Sequence, residues 1–331
     1  MKTKIGISGF GRIGRLVARV AVMDPEVELV AINSTADPEN TARLFKYDST
    51  HGTFDGEVSF DEGHLIVNGK AIPLFCDRDP NKLDWGKYGT EIVIDSTGAF
   101  RTIDTASAHL RDTVKKVIIT APSSDAQMIV MGVNQDAYDP SQPVVSNASC
   151  TTNCLAPVTK VIHENFTIEA AAMTTVHAFT NDQNNLDNRH KDPRRARGCT
   201  QSIVPTSTGA AKAMGKVIPA LNGKMNGFSV RIPTPNVSLV DVVFQLKESP
   251  SVEEVNALLK QAAEGELKGI LGYSDEPLVS IDYNGDSRSS IVDGLSTMKV
   301  GEHLIKVVAW YDNEWGYSVR CVDLAKFIHN K

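Results

Sequence analysis

The segment "SNASCTTNC" (146–154) sets two cysteines four residues apart among small polar side chains. A thiol at Cys150 is open to four readings: a small core residue, a metal ligand, half of a disulfide, or a nucleophile. The chain holds five cysteines in 331 residues (76, 150, 154, 199 and 321), a sparse and odd set that argues against a disulfide framework. C-x-x-x-C is not the usual zinc spacing, and no second Cys/His pair completes it. "TTNCLAPVTKVIHENF" reads as a helix starting at Cys150, with Pro157 as a point of interruption. A thiol at a helix N-terminus meets the positive end of the dipole, which lowers its pKa and favours the thiolate. Cys154, one turn further on beside Leu155, reads instead as an inert core thiol.

A thiol nucleophile works with a base. His177, in "TTVHAFTND", ends a β-like run at the entry to a polar loop. Sequence spacing alone leaves open whether the two side chains meet, and a structural hydrogen-bonding role is the plainer reading of a lone His. Between 180 and 212 the chain turns polar and cationic, with Arg194, Arg195 and Arg197 close together in a protein of net charge −6. A solvated loop is the ordinary explanation. However, "PTSTGAAKA" follows, where hydroxyls and a glycine open a helix of small residues. Such a start binds anions, and guanidinium groups match phosphate oxygens. Arg231, in "SVRIPTPN", adds a further cation.

"GFGRIG" (9–14) has the spacing G-x-G-x-x-G. It follows the strand-like "KIGIS" and opens a stretch whose Ile13, Leu16, Val17 and Val20 keep helical spacing, which is the context a dinucleotide-binding turn requires. Gly9 permits the tight turn, Gly11 lets a pyrophosphate approach the backbone, and Gly14 allows close helix–strand packing. The motif also calls for an acid at the end of the second strand, to bind the ribose 2′-hydroxyl. Asn33, Ser34 and Thr35 stand there instead. Either Asn33 still accepts from the ribose, or the site tolerates a 2′-phosphate.

The elements that must position these groups read as α/β. Short apolar runs at 4–8, 27–33, 90–98, 115–120 and 143–149 alternate with helical stretches, as in a Rossmann-type parallel sheet. Beyond 150 the runs are longer and partly alternating, as in a half-exposed antiparallel sheet of an α+β catalytic domain. "SVEEVNALLKQAAEG" reads as a helix capped by Ser251 and stopped near Gly265. The change near 150 marks a domain boundary. The net charge of −6 gives no reason to expect nucleic acid or an anionic membrane. No apolar run reaches a membrane span, and the start shows no signal-peptide pattern, so the expected compartment is cytoplasmic.

"GFGRIGR", "SNASCTTNC", "TTVHAFTNDQ", "HKDPRRAR", "PTSTGAAKA", "RIPTPNVSLVD" and "YDNEWGYS" together resemble the phosphorylating glyceraldehyde-3-phosphate dehydrogenases, in the family's order and across nearly the whole chain. The resemblance implies reversible oxidation and phosphorylation of D-glyceraldehyde 3-phosphate to 1,3-bisphosphoglycerate, through a thioester on Cys150 with His177 as base. It implies that Ser149, Thr151, Arg195, Thr208 and Gly209 receive inorganic phosphate, and that Thr180, Asp182 and Arg231 lie near the substrate's own phosphate. Arg12, Ile13, Arg78, Thr120 and Asn313 match cofactor contacts, Asn313 at the nicotinamide carboxamide. It also implies a homotetramer, with a dinucleotide-binding domain (1–149), a catalytic domain (150–315) and a C-terminal helix (316–331) returning to the first domain. Two positions depart from the family's pattern. Asn33 replaces the Asp of NAD-specific members, and Arg189 replaces a common Pro. Both suggest NADP, preferred or accepted beside NAD. The alternatives are erythrose-4-phosphate dehydrogenase, whose relatives usually lack the intact "HAFTND" and "PTSTG" blocks, and a non-catalytic nucleotide-binding or RNA-associated regulator.

Overall fold

A computed structural model describes residues 1–331, which divide into two compact units: Met1–Ile129 with Asp136–Ala148 and Ser318–Lys331, and Val130–Gln135 with Ser149–Tyr317. In the first unit the strands Gln127–Met128, Val144–Ser146, Lys116–Ile119, Ile92–Asp95, Thr3–Ser8, Val27–Asn33 and Lys70–Phe75 lie side by side, all parallel. The antiparallel strands His64–Val67 and Val58–Phe60 extend one edge. Strands to one side of Thr3–Ser8 come from later in the chain than those to the other. The order therefore reverses beside Ile92–Asp95, and such a reversal opens a ligand crevice at the strands' carboxyl ends.

The helix Arg12–Met23 buries Leu16, Val17, Ala18 and Ala21, as apolar spacing predicts. It also buries Arg19, which periodicity does not predict. The Arg19 guanidinium bonds the carbonyls of Phe45 and Gly52 and lies 5.9 Å from the ring centroids of both Phe45 and Phe54. An internal Arg is tolerated because its donors are taken up by carbonyls and its flat face by rings.

The second unit is built on the order Val204–Ser207, Met225–Ile232, Ile168–Ala178, Ser238–Leu246, Leu304–Tyr311, Ser290–Asp293, Leu271–Ser274, with Met298–Val300 also beside Leu304–Tyr311. Most neighbours are antiparallel; Ile168–Ala178 with Met225–Ile232 and Leu271–Ser274 with Ser290–Asp293 are parallel. Ser238–Leu246 alternates buried and half-buried residues along its whole length. That is the expected half-exposed face. The helix Cys150–Phe166 packs against this sheet and runs through Pro157 without a break. A proline inside a helix costs about 3 kcal/mol. Residues 151–159 are all buried, and their packing outweighs that cost, so the expected interruption does not occur. Val252–Glu264 has Ser251 and Glu254 as a reciprocal capping box and Gly265 at its end.

Candidate active site

The position of Cys150 follows from a cap. Ser149 Oγ accepts from Thr152 N–H at 3.0 Å, so the helix begins at Cys150 and the thiol sits on its first turn. The preceding Ala148 is held at φ +55°, a left-handed conformation that costs a non-glycine residue energy and marks a constrained turn. His177 arrives from Ile168–Ala178, and its Nε2 lies 3.5 Å from Cys150 Sγ. The two residues that the sequence left unconnected therefore meet.

The tautomer follows from its neighbours. His177 Nδ1 is 2.7 Å from the Ala178 carbonyl oxygen, a separation that requires a proton on Nδ1. The Arg231 guanidinium lies 2.9 Å from Nδ1 and 3.1 Å from the same carbonyl. With Nδ1 protonated, Arg231 donates to the carbonyl, and Nε2 turns its lone pair to the thiol. Burial, then the Arg231 charge, push His177 down to about 3, against the Ala178 carbonyl. Burial pushes the Cys150 thiol up, while Arg231 and the Thr151 backbone N–H pull it down. This corrects the expectation of a thiol lowered by its helix end: desolvation outweighs the dipole. The resting pair is a thiol facing a neutral imidazole, the arrangement that a thiol nucleophile with a general base would need. Cys154 is fully buried and pushed up to about 12 by that burial, as befits a core thiol.

Tyr311 closes the floor. Its hydroxyl bonds Thr151 Oγ1 and Thr175 Oγ1, each at 2.9 Å, and its ring stands edge-on to His177 at 5.9 Å. The Thr151 hydroxyl, which the resemblance assigns to inorganic phosphate, is bonded to Tyr311. Asn313 is 5% exposed, with Oδ1 accepting from Ser238 Oγ at 2.7 Å. Asp312 beside it takes Asn236 Nδ2 and Gly285 N–H on Oδ2, and the N–H groups of Glu314 and Trp315 on Oδ1.

Among the expected anion groups, Thr208 Oγ1 accepts from Ala210 N–H at 3.2 Å, at the head of Ala210–Val217, and the space where a side chain would stand on Gly209 is open. Arg195 is half-buried and already engaged, by Asp182, Thr206 Oγ1 at 2.8 Å and the Ser207 carbonyl. Asp182 is exposed and also lies 3.6 Å from His190 Nε2; Thr180 is half-buried and its carbonyl accepts from Gln183 N–H. Arg189 is exposed, and its side chain makes no bond within the chain.

In the first unit, Gly9 has φ +87°, and a side chain there would strike Ser96 and Thr97. A Cβ on Gly14 would collide with the Gly9 carbonyl, whereas above Gly11 there is open space. Helix Arg12–Met23 has no side-chain cap, which leaves its first turn to a ligand, with Ile13 half-buried. A cavity of about 360 Å³ is lined by Ser8, Gly9, Asn33, Thr35, Arg78 and Thr97, among others. Asn33 is fixed from both ends: Nδ2 donates to the Asp77 carbonyl at 2.8 Å, and Oδ1 accepts from Asp77 N–H at 3.2 Å. Ser34 corrects the expectation. It is buried, and its hydroxyl lies 3.0 Å from Thr41 Oγ1 rather than facing a ribose. Arg12 is paired through both guanidinium nitrogens with Asp48, at 2.7 and 3.1 Å. Burial disfavours the Asp48 carboxylate, but Arg12 and the N–H groups of Thr50 and His51 outweigh that and hold it at about 2. Thr120 donates its hydroxyl to the Asp95 carbonyl.

Sequence reading passed over Asp95, His109 and Trp85. Trp85 Nε1 donates to His109 Nδ1 at 3.2 Å, His109 Nε2 faces Asp95 Oδ2 at 3.1 Å, and Asp95 Oδ1 holds the N–H and hydroxyl of Thr97. This buried chain props the turn that lines the cavity. Its members fall in unrelated segments, so only the fold reveals them; the same is true of Ser238 and Tyr311.

A doubly wound sheet with an open glycine turn in one unit, and a thiol facing an imidazole in the other, fit the class of dinucleotide-dependent oxidoreductases. The family model described as glyceraldehyde 3-phosphate dehydrogenase, NAD binding domain, matches residues 3–103, and that described as its C-terminal domain matches residues 149–313. Glyceraldehyde-3-phosphate dehydrogenase of Geobacillus stearothermophilus is 57% identical over 333 aligned residues, covering 100% of this chain and 99% of its own. Glyceraldehyde-3-phosphate dehydrogenase 1 of Bacillus subtilis is also 57% identical, with the same coverage, and the enzyme of Claviceps purpurea is 52% identical over 99% of this chain and 98% of its own. The chain belongs to the glyceraldehyde-3-phosphate dehydrogenase family.

Proposed function

We infer that this enzyme oxidises and phosphorylates glyceraldehyde 3-phosphate with NAD, reversibly giving 1,3-bisphosphoglycerate. The observation that carries the reading is the 3.5 Å approach of Cys150 Sγ to His177 Nε2. Sγ bonds the aldehyde carbon as the C=O π bond opens, and the thiol proton passes by way of Nε2 to the former carbonyl oxygen, giving a hemithioacetal. The residues that fit NAD are Gly9, Gly11 and Gly14, whose turn leaves open room for phosphates, with Asn313 toward the nicotinamide. NAD, when bound, supplies the two-electron acceptor for the substrate carbon. The acyl group then remains on Sγ as a thioester, phosphate oxygen displaces the sulfur, and the acyl phosphate leaves. Neither the erythrose-4-phosphate reading nor a non-catalytic role has an observation in its favour.

Phosphate is received at the Thr208–Gly209 helix start, with Ser149, the Thr151 N–H and Arg195 nearby in role. Open space at Gly209 supports this. Arg195 must share its donors between Asp182 and the incoming anion. Arg231, with Thr180 and Asp182, serves the substrate's own phosphate. Thr208→Ala should weaken phosphate-dependent release of the acyl group by ~1.5–3 kcal/mol. Equal phosphate sensitivity of deacylation in this variant would remove Thr208 from the site.

The enzyme accepts NADP beside NAD. Asn33 brings no carboxylate to the cavity, and Arg78, exposed on the same wall, makes no ion pair within the chain. Thr35 is exposed there too, and Arg189 is a further uncommitted cation. Asn33→Asp should shift kcat/KM toward NAD by roughly one to two powers of ten, at ~1.4 kcal/mol per tenfold. A strong NAD preference in the unmodified enzyme would refute this part. The outward face of the catalytic sheet, with Phe228 48% exposed and half-buried Leu239, Val243 and Val308, supports a homotetramer. No helix is long and apolar enough to cross a membrane, and a cytoplasmic location is proposed with it.

A further inference from the structure

His109 is fully buried, and the chemistry of Cys150 and His177 makes no use of it. Its protonation follows from its two polar neighbours. An indole N–H only donates, so Trp85 Nε1, 3.2 Å away, occupies the lone pair of Nδ1. The single ring proton then stands on Nε2, which donates to Asp95 Oδ2 at 3.1 Å. Asp95 is 1% exposed, and its Oδ1 accepts from both the N–H and the hydroxyl of Thr97, at 3.0 and 2.7 Å. The Thr97 hydroxyl in turn accepts from Ala99 N–H at 3.1 Å. Each bond in this chain has one allowed direction, so the chain holds one arrangement.

What it holds is a wall. The cavity of about 360 Å³ is lined by Pro80 and Leu83, by Ser96 and Thr97, and by Phe100. His109 stands behind all three segments. Trp85 follows the first, with its N–H on the Leu83 carbonyl at 3.0 Å. Asp95 precedes the second. Phe100 meets the His109 ring edge-on, with centroids 5.9 Å apart. The second segment also seats the glycine turn, since a Cβ on Gly9 would lie 2.7 Å from the Thr97 nitrogen. Asn33 lines the same cavity, and the end of the second strand is where a dinucleotide's adenosine ribose is bound. At 0% exposure, His109 shapes this wall without touching what lies in it.

We propose that His109 is a positioning residue for the cofactor: its Nε2–H, through Asp95, sets the Thr97 turn that the adenosine half of NAD meets. The proposal rests on the reading that NAD occupies this cavity. It assigns His109 to affinity and leaves the thiol chemistry to Cys150 and His177.

The test is equilibrium titration of NAD and of ADP-ribose, which lacks the nicotinamide. An asparagine amide reaches only as far as Nδ1, whereas a glutamine amide reaches Nε2. His109→Asn therefore keeps an acceptor for Trp85 and loses the donor to Asp95. It should weaken both ligands by the same factor, about tenfold. The KM for NAD should rise with no fall in kcat, and iodoacetate should alkylate Cys150 of the NAD-free enzyme at the unmodified rate. His109→Gln restores the donor and should recover most of the lost affinity. Trp85→Phe keeps a ring in the core and removes only the indole donor, which frees the imidazole to change tautomer; it too should weaken both ligands equally. Unmodified affinities in His109→Asn and Trp85→Phe would overturn the proposal. Equal losses in His109→Asn and His109→Gln would overturn the role of the Nε2 bond. A fall in kcat or in alkylation rate alongside the loss of affinity would show a general structural effect instead. A loss for NAD exceeding that for ADP-ribose would place the effect at the nicotinamide and overturn the proposal as well. Failure of NAD to bind the unmodified enzyme would remove the underlying reading, and the proposal with it.

Discussion

The glycine turn and the thiol centre are built on opposite principles. The turn at 9–14 works by lacking side chains: Gly9 needs its positive φ, Gly14 has the Gly9 carbonyl where a Cβ would stand, and Gly11 leaves open space. Its parts are six residues of one segment. The thiol centre works by assembling side chains from separate elements. Cys150 starts a helix, His177 ends one strand, Arg231 lies on its parallel neighbour, and Tyr311 ends a third. A turn made of absences is local and fails by steric intrusion. A constellation of side chains is distributed, and it fails one chemical role at a time.

That difference can be broken most severely at the thiol. Cys150→Ser should reduce oxidation to the assay background while NAD still titrates with near-normal affinity, because a hydroxyl of high pKa does not replace the thiol and the first unit is untouched. Loss of NAD binding in this variant would show that the two regions are not separable. Iodoacetate should modify Cys150 much faster than Cys154 and leave Cys154 unmodified until unfolding, since Cys154 is buried and pushed up to about 12. Peptide mapping after partial labelling checks both.

His177→Asn should lower turnover by ~10²–10⁴, the usual contribution of a positioned base. It should also move the alkylation profile of Cys150 to higher pH, because burial already pushes the thiol up and the variant removes the proton's acceptor. An unchanged alkylation profile would mean that the 3.5 Å approach has no chemical consequence.

Gly14→Ala tests the other principle. It should weaken NAD binding by about tenfold or more, with ~1–3 kcal/mol of overpacking strain, and leave the rate of Cys150 alkylation unchanged. An NAD affinity equal to that of the unmodified enzyme would show that the backbone yields at this position.

The smallest effect is at Asp48, held at about 2 by Arg12 and two N–H groups against an ordinary value of 3.8. A depressed carboxylate stabilises the fold fully above its unfolded value and loses that contribution as pH falls through about 2. The linkage amounts to ~2 kcal/mol. Asp48→Asn should therefore lower stability at pH 7 and flatten the acid limb between about pH 4 and 2 in urea titrations. An acid limb identical to that of the unmodified protein would show that the Arg12 pair carries no linkage.

Much of this protein was legible from its residues alone, for physical reasons that are local. A glycine turn after a strand, Ser251 and Glu254 capping one helix, and the alternation of Ser238–Leu246 depend on neighbours a few positions away, so order along the chain suffices to read them. Cys150 was legible as reactive because its flanks offer nothing apolar to bury it. Other features were decided only by the fold. Pro157 stays helical because the surrounding core outweighs its penalty. Ser34 turns inward to Thr41, and Thr151 to Tyr311, because buried hydroxyls must find partners. The thiol's pKa rises because desolvation depends on everything packed around it, whereas a helix end is visible from the chain. Partnership between residues far apart in sequence, such as Cys150 with His177 or Ser238 with Asn313, is a property of distance in space, and the tertiary structure alone sets that distance.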